Sequence, residues 1–83
     1  MRHAGPDSLD SIESLLVRLR EVPGLAEKKR GVFYRRSRAF LHFHEDPAGM
    51  YADVRLSHEF ERVRVQTGDE QDALLDRIRH AAG

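Results

Sequence analysis

Two histidines and an aspartate form the pattern with the clearest chemistry in this 83-residue sequence. His42 and His44 are one residue apart, and Asp53 follows after a turn. Side chains two apart on a β-strand point to the same face. Two imidazoles and a carboxylate can bind zinc or another divalent metal. The alternatives are an acid–base pair of His42 with Asp53, or a purely structural cross-strand contact.

The segment Asp46–Gly49 determines how the two strands around it pair. Its Asp, Pro and Gly residues have the spacing of a type I turn. A four-residue loop here places Glu45 opposite Met50 and His42 opposite Asp53. Alternation along the paired strands then predicts one apolar, core-facing side. Its members are Ala39, Leu41, Phe43, Met50, Ala52, Val54 and Leu56.

Two amphipathic helices are expected to flank the strands. Helical spacing of apolar residues predicts the first helix over residues 9–21. Thr67 and Glu70 have the spacing of a capping box, which predicts that the second helix begins after Thr67. Residues 25–30 are expected to be a polar connector. The predicted strands are Val32–Arg36, Ala39–Glu45, Met50–Leu56 and Glu61–Val65.

These elements predict a two-layer α+β fold in the order α-β-β-β-β-α. Hairpin-length turns make the four-stranded sheet antiparallel. Since each helix has one apolar stripe and the sheet has one apolar face, both helices are expected to pack on that face. The whole chain, 1–83, is expected to form a single domain, with residues 1–7 flexible.

The second face of the sheet, which carries His42, His44 and Asp53, is called the histidine face below. A four-residue loop at 57–60 would place Arg62 opposite Arg55 and Arg64 opposite Asp53. The first two predicted strands are joined by a loop near Ser37. A loop of two or four residues would turn Phe33 and Arg35 to this face and Val32 and Tyr34 to the core. A loop of odd length would reverse these faces. The predicted members are Phe33, Arg35, Phe40, His42, His44, Tyr51, Asp53, Arg55, Arg62 and Arg64.

Three kinds of binding suit this face. An open, partly aromatic surface favours a non-catalytic interaction module that forms a homodimer or docks on a partner protein. Arginines among aromatic residues are also typical of single-stranded nucleic-acid binding, although the net charge of zero argues against it. The third is the metal, small-ligand or enzymatic site. The candidate binding residues are Phe40, His42, His44, Tyr51, Asp53, Arg55, Arg62 and Arg64.

Composition excludes several classes of protein. The absence of cysteine rules out disulfides and thiolate metal sites. No apolar run approaches the ~20 residues of a membrane span, and residues 1–6 do not resemble a signal peptide. We therefore expect a cytoplasmic protein that does not bind a membrane. No nucleophile motif accompanies the histidines, so catalysis is not favoured, and no cofactor is expected apart from the alternative divalent metal.

Part of the sequence resembles a known family. Val22-Pro23-Gly24, the run from Arg38 to His44, and Gly49 followed by Ala52-Asp53-Val54-Arg55-Leu56 are similar to the core of small bacterial domains labelled "luciferase-like". The similarity covers residues 22–56, and a fainter one is to the MmcQ/YjbR-like domains. Both resemblances imply a compact bacterial α+β domain, and neither implies a particular reaction.

Overall fold

The computed structural model describes residues 1–82 and has an α+β fold with an antiparallel sheet, as predicted. Gly83, the last residue of the predicted domain, lies outside the described residues. In chain order the elements are β1 (Arg2–His3), α1 (Pro6–Asp10), α2 (Glu13–Arg20), β2 (Leu25–Lys29), β3 (Val32–Arg35), β4 (Arg38–Asp46), β5 (Gly49–Val54), β6 (Glu61–Arg64) and α3 (Gly68–Ala82).

Within residues 1–82 the sheet has six strands, so the prediction of four was wrong. Strands β2 to β6 lie side by side in sequence order, and β1 also pairs with β4. β3 pairs with β4 as far as Leu41, whereas β1 pairs with Glu45 and His44. Since β5 pairs along the other edge of β4, β1 and β3 share one edge of this central strand.

The prediction of a connector at residues 25–30 was wrong because edge strands need not alternate between apolar and polar residues. β2 pairs Leu25 with Arg35 and Ala26 with Tyr34, and only Leu25 packs against the core. Gly24, in the turn between α2 and β2, has φ of +89°, a left-handed conformation that glycine adopts easily. It redirects the chain into β2.

The register of the central hairpin confirms the prediction. Glu45 pairs with Met50, His42 with Asp53, and Leu41 with Val54. Leu41 and Val54 are 1% and 0% exposed, so the apolar face of this hairpin is the core side.

The hairpin of β5 and β6 has a different register from the predicted one. Asp53 pairs with Arg62 and Tyr51 with Arg64, two residues away from the expected partners. A two-residue shift leaves each side chain on its expected face but replaces an Arg62–Arg55 pair with Arg62–Asp53. Like charges directly opposite are destabilising and opposite charges are favourable, which accounts for the observed register.

A bulge in β4 reverses the faces predicted for β3. The turn at Arg36-Ser37 has the even length considered above, since Arg35 pairs with Arg38. However, Phe33 pairs with Leu41 and Tyr34 with Ala39, which leaves Phe40 as an extra residue. Phe33 and Phe40 are consequently 1% and 4% exposed and belong to the core. Placing them on the histidine face, and Val32 and Tyr34 in the core, was wrong.

The first predicted helix is divided into α1 and α2. The break follows Asp10, where the Ser11 hydroxyl donates a hydrogen bond to the Ser8 carbonyl and Ile12 leaves helical geometry. Such serine back-bonding commonly bends helices. The predicted apolar stripe is nevertheless buried throughout: Leu9, Ile12, Leu15, Leu16 and Leu19.

The last helix begins at the predicted capping box. The Thr67 hydroxyl accepts a hydrogen bond from the Glu70 amide, and the Glu70 carboxylate accepts one from the Thr67 amide. The buried residues of α3 join those of α1, α2 and the sheet in one core. Among residues 1–82, no helix combines the length and apolar character needed to cross a membrane.

Glu45 connects β1 and α1 to the central strand, and this contact should depend on pH. Hydrogen bonds from the Ser8 side chain, the Gly5 amide and Arg2 lower the pKa of Glu45 from 4.5 to about 2. A carboxyl group whose pKa is lowered by folding stabilises the protein at pH values above its pKa in the unfolded state. That contribution is lost as the pH falls towards its pKa in the folded state. Between pH 4.5 and about 2, the unfolding free energy of Glu45→Gln should therefore fall less steeply than that of the wild type.

Urea unfolding at several pH values measures this slope. Glu59→Gln, which changes an exposed glutamate in the β5–β6 loop, is the matched control and should behave like the wild type. If the unfolding free energies of Glu45→Gln and the wild type changed equally with pH, Glu45 would make no pH-dependent contribution to stability.

Candidate metal centre

Three strands bring four ionisable side chains together on the histidine face. His42 and His44 come from β4, and Asp53 comes from β5, directly opposite His42. β1 adds His3 opposite His44. The His3 ring stacks on that of His44, with centroids 4.7 Å apart, and lies 5.9 Å from that of His42.

Asp53 is the centre of this group. Its Oδ2 atom lies 3.0 Å from Nε2 of His44 and 3.4 Å from Nε2 of His42. Ligand atoms from the three residues all lie within 4.8 Å of one another. Zinc bound tetrahedrally at about 2.0–2.1 Å from nitrogen or oxygen would separate its ligand atoms by about 3.3 Å. The two Asp53–histidine distances are close to that separation, and the three residues offer ligand types that zinc accepts.

Arg62 holds the same carboxylate from the solvent side. Its Nε donates a hydrogen bond to Asp53 Oδ1 at 2.8 Å, and its Nη2 donates one to Oδ2 at 2.9 Å. This bidentate contact lowers the pKa of Asp53 below its ordinary value of 3.8. The carboxylate is therefore ionised at neutral pH, as a metal ligand must be.

His42 and His44 are both largely shielded from solvent. Burial lowers the pKa of His42 below 6.5, outweighing the opposing effect of Asp53. Only 11% of the His44 side chain is exposed, and its Nε2 atom has no hydrogen-bond partner among the described residues. Although Asp53 Oδ2 is 3.0 Å from this nitrogen, the contact does not have hydrogen-bond geometry. A buried ring nitrogen thus lies 3.0 Å from the carboxylate with its hydrogen-bonding capacity unused.

The sequence indicated His42, His44 and Asp53 but not two of their neighbours. His3 was missed because a two-residue strand has no detectable periodicity. Phe60 was assigned to a turn, yet its ring lies 5.4 Å from that of His42, and Arg55 lies 5.1 Å from its centroid. Arg35 stacks on the ring of the buried Phe40.

The remaining predicted residues do not join the cluster. Arg35 reaches the Ala81 carbonyl at the end of α3. Arg55 donates to the Ala39 carbonyl, and Arg64 binds the Ala48 carbonyl and the Glu70 carboxylate. Each of these guanidinium groups therefore already has a partner within the chain. Tyr51 is half-buried beside them, between His44 and Arg64 in the sheet.

No family model, curated protein or solved structure matches this chain. The resemblances to the luciferase-like and MmcQ/YjbR-like domains accordingly stay predictions from the sequence.

Replacing His44 with phenylalanine should stabilise the metal-free protein. The substitution keeps an aromatic ring beside His3 and removes a buried nitrogen that lacks a hydrogen bond, while Asp53 keeps its bidentate Arg62 partner. Relief of that desolvation cost should raise the unfolding free energy by about 1 kcal/mol. Urea unfolding at pH 8 with EDTA measures the change.

His58→Phe, at an exposed loop position, is the control and should leave the unfolding free energy nearly unchanged. A loss of stability of about 1 kcal/mol in His44→Phe would mean that His44 forms a net favourable contact in the metal-free state.

Proposed function

We propose that this domain binds a divalent transition metal, with zinc the best match, through His42 Nε2, His44 Nε2 and Asp53 Oδ2. The observation that carries the proposal is the buried His44 Nε2, which accepts or donates no hydrogen bond within residues 1–82 and lies 3.0 Å from an ionised carboxylate oxygen. A metal ion between the two groups would use both lone pairs and offset the cost of burying them.

Arg62 is compatible with this role. When a metal takes Asp53 Oδ2, the Arg62 Nε can keep its 2.8 Å hydrogen bond to Oδ1. Ligating carboxylates are commonly held in this way by an outer residue. Because half of the Arg62 side chain is exposed, its Nη2 can move into solvent at small cost. The arginine thus orients the ligand without closing the site.

His42 gives the site contact with solvent, since 27% of its side chain is exposed, and this agrees with a binding function. We infer that the helices cover the opposite face of the sheet, since their apolar residues share one core with Leu41 and Val54. Three protein ligands leave zinc with a fourth position for water or a further ligand. Imidazole and carboxylate ligands without thiolate also suit several other divalent metals, so zinc should compete with cobalt and nickel.

Zinc titration tests the proposal. We expect one zinc ion to bind per chain, with ring-nitrogen NMR shifts at His42 and His44 and none at His58 or His80. Asp53→Asn, which keeps the shape of the side chain but removes its charge, should weaken zinc binding by at least about tenfold in calorimetry.

Asp72→Asn is the matched control, because this α3 aspartate contacts Arg18 on the exposed surface, away from the histidines. It should bind zinc like the wild type. Absence of zinc binding to the wild type, or equal affinity in Asp53→Asn, would overturn the proposal.

Self-association through the histidine face is a second candidate. The sequence favoured it because of three aromatics, of which Phe33 and Phe40 lie in the core. Phe60 provides a different apolar contact, since 41% of it is exposed beside His42 and Arg55. We propose that Phe60 is the centre of such a contact, either with a second copy or with another protein.

Light scattering tests the homodimer. A wild-type dimer that Phe60→Ser converts to monomers would support it, with Val17→Ser, at an exposed α2 position, as the control. A monomer at high concentration, or a dimer unchanged by Phe60→Ser, would contradict it. Nucleic-acid binding has less support, because Arg35, Arg55, Arg62 and Arg64 all have partners within the chain.

A further inference from the structure

A cavity of about 430 Å³ lies beside the histidines. It is located at the edge of β4, where the strand that pairs with β4 changes from β3 to β1. Pockets for small molecules typically measure about 300–1,000 Å³, so this one has the size for a compact organic ligand. Its lining includes His42, which is also one of the three proposed metal ligands. The cavity and the proposed metal centre are therefore neighbours that share a side chain.

One part of the cavity is apolar. Leu9 of α1 and Phe43 of β4 line it and are 8% and 3% exposed, and Val32 of β3 forms another part of the wall. These residues would receive a hydrocarbon or aromatic group and remove it from water. Small-molecule sites commonly combine such a surface with a few polar groups that orient the ligand.

The charge of the cavity favours an anion. Among the residues that the structure describes, Lys29 and Arg30 line it and no aspartate or glutamate does. Arg30 is already paired with Asp10 and Glu13. Lys29 has no carboxylate within ion-pair distance anywhere in residues 1–82. A bound divalent metal next to His42 would add positive charge on the other side.

We infer that the cavity binds a small carboxylic acid with an apolar body, whose carboxylate takes the open position of the metal while the body contacts Leu9, Val32 and Phe43. The inference rests on the proposed metal-binding function. A carboxylate oxygen is a hard donor that zinc accepts in its fourth position, and Lys29 at the cavity balances the ligand's charge.

Phenylacetate is a suitable probe, since it combines one carboxylate with one aromatic ring. Added to the zinc-loaded protein, it should shift the NMR signals of Leu9, Val32 and Phe43 together with those of His42. Its affinity should be at least about tenfold lower without zinc. Acetate, which lacks the apolar body, should shift His42 but leave Leu9 and Phe43 unchanged.

Two variants locate the binding site. Val32→Phe should fill the cavity and weaken phenylacetate at least about tenfold, with zinc binding retained. Val17→Phe makes the same change at an exposed helix position and should bind phenylacetate like the wild type. Should Val32→Phe fail to fold, Lys29→Gln, on the exposed edge strand, should still weaken phenylacetate several-fold without affecting zinc.

The outcomes separate this inference from the metal proposal. If the wild type binds no zinc, the proposed function and the inference both fail. If zinc binds but phenylacetate leaves Leu9 and Phe43 unshifted, or binds equally well without zinc, only the inference is overturned. Unchanged phenylacetate affinity in the folded Val32→Phe and Lys29→Gln variants would overturn it as well.

Discussion

The register between β4 and β5 is the constraint on which the rest of this structure depends. It places Asp53 opposite His42 and two residues along β5 from Tyr51, the partner of His44. The same alternation places Leu41, Phe43, Ala52 and Val54 in the core. A slip of one residue would turn one strand over relative to the other, which would separate Asp53 from the histidines and expose that strand's apolar residues. The residues that stabilise the fold therefore also hold the candidate site together.

The Asp53 carboxylate contributes both to the stability of the hairpins and to the candidate site. Arg62 binds both of its oxygens, which offsets the cost of holding a charge in a side chain that is 13% exposed. His44 Nε2 has no hydrogen-bond partner in the part of the chain that the structure describes. Buried polar groups left without a partner are uncommon in folded proteins and are concentrated at functional sites. The cost at His44 is the physical reason for assigning this cluster a ligand.

Local chemistry made part of the fold predictable from sequence. The turn at 46–49 fixed the central register, and Thr67 with Glu70 fixed the start of α3. The bulge at Phe40 could not be foreseen, because it depends on how β3 meets β4 and reverses one strand without a change in residue pattern. β1 and β2 were missed because they are short or polar edge strands. The site was therefore predicted as His42, His44 and Asp53, without His3, Phe60 or the role of Arg62.

Anomalous X-ray diffraction from crystals grown with zinc tests the central claim most directly. Data collected on either side of the zinc absorption edge should show one strong peak within about 2.0–2.2 Å of His42 Nε2, His44 Nε2 and Asp53 Oδ2. The account would be contradicted by zinc bound elsewhere on the chain, or by no peak between these atoms while Arg62 still occupies both Asp53 oxygens.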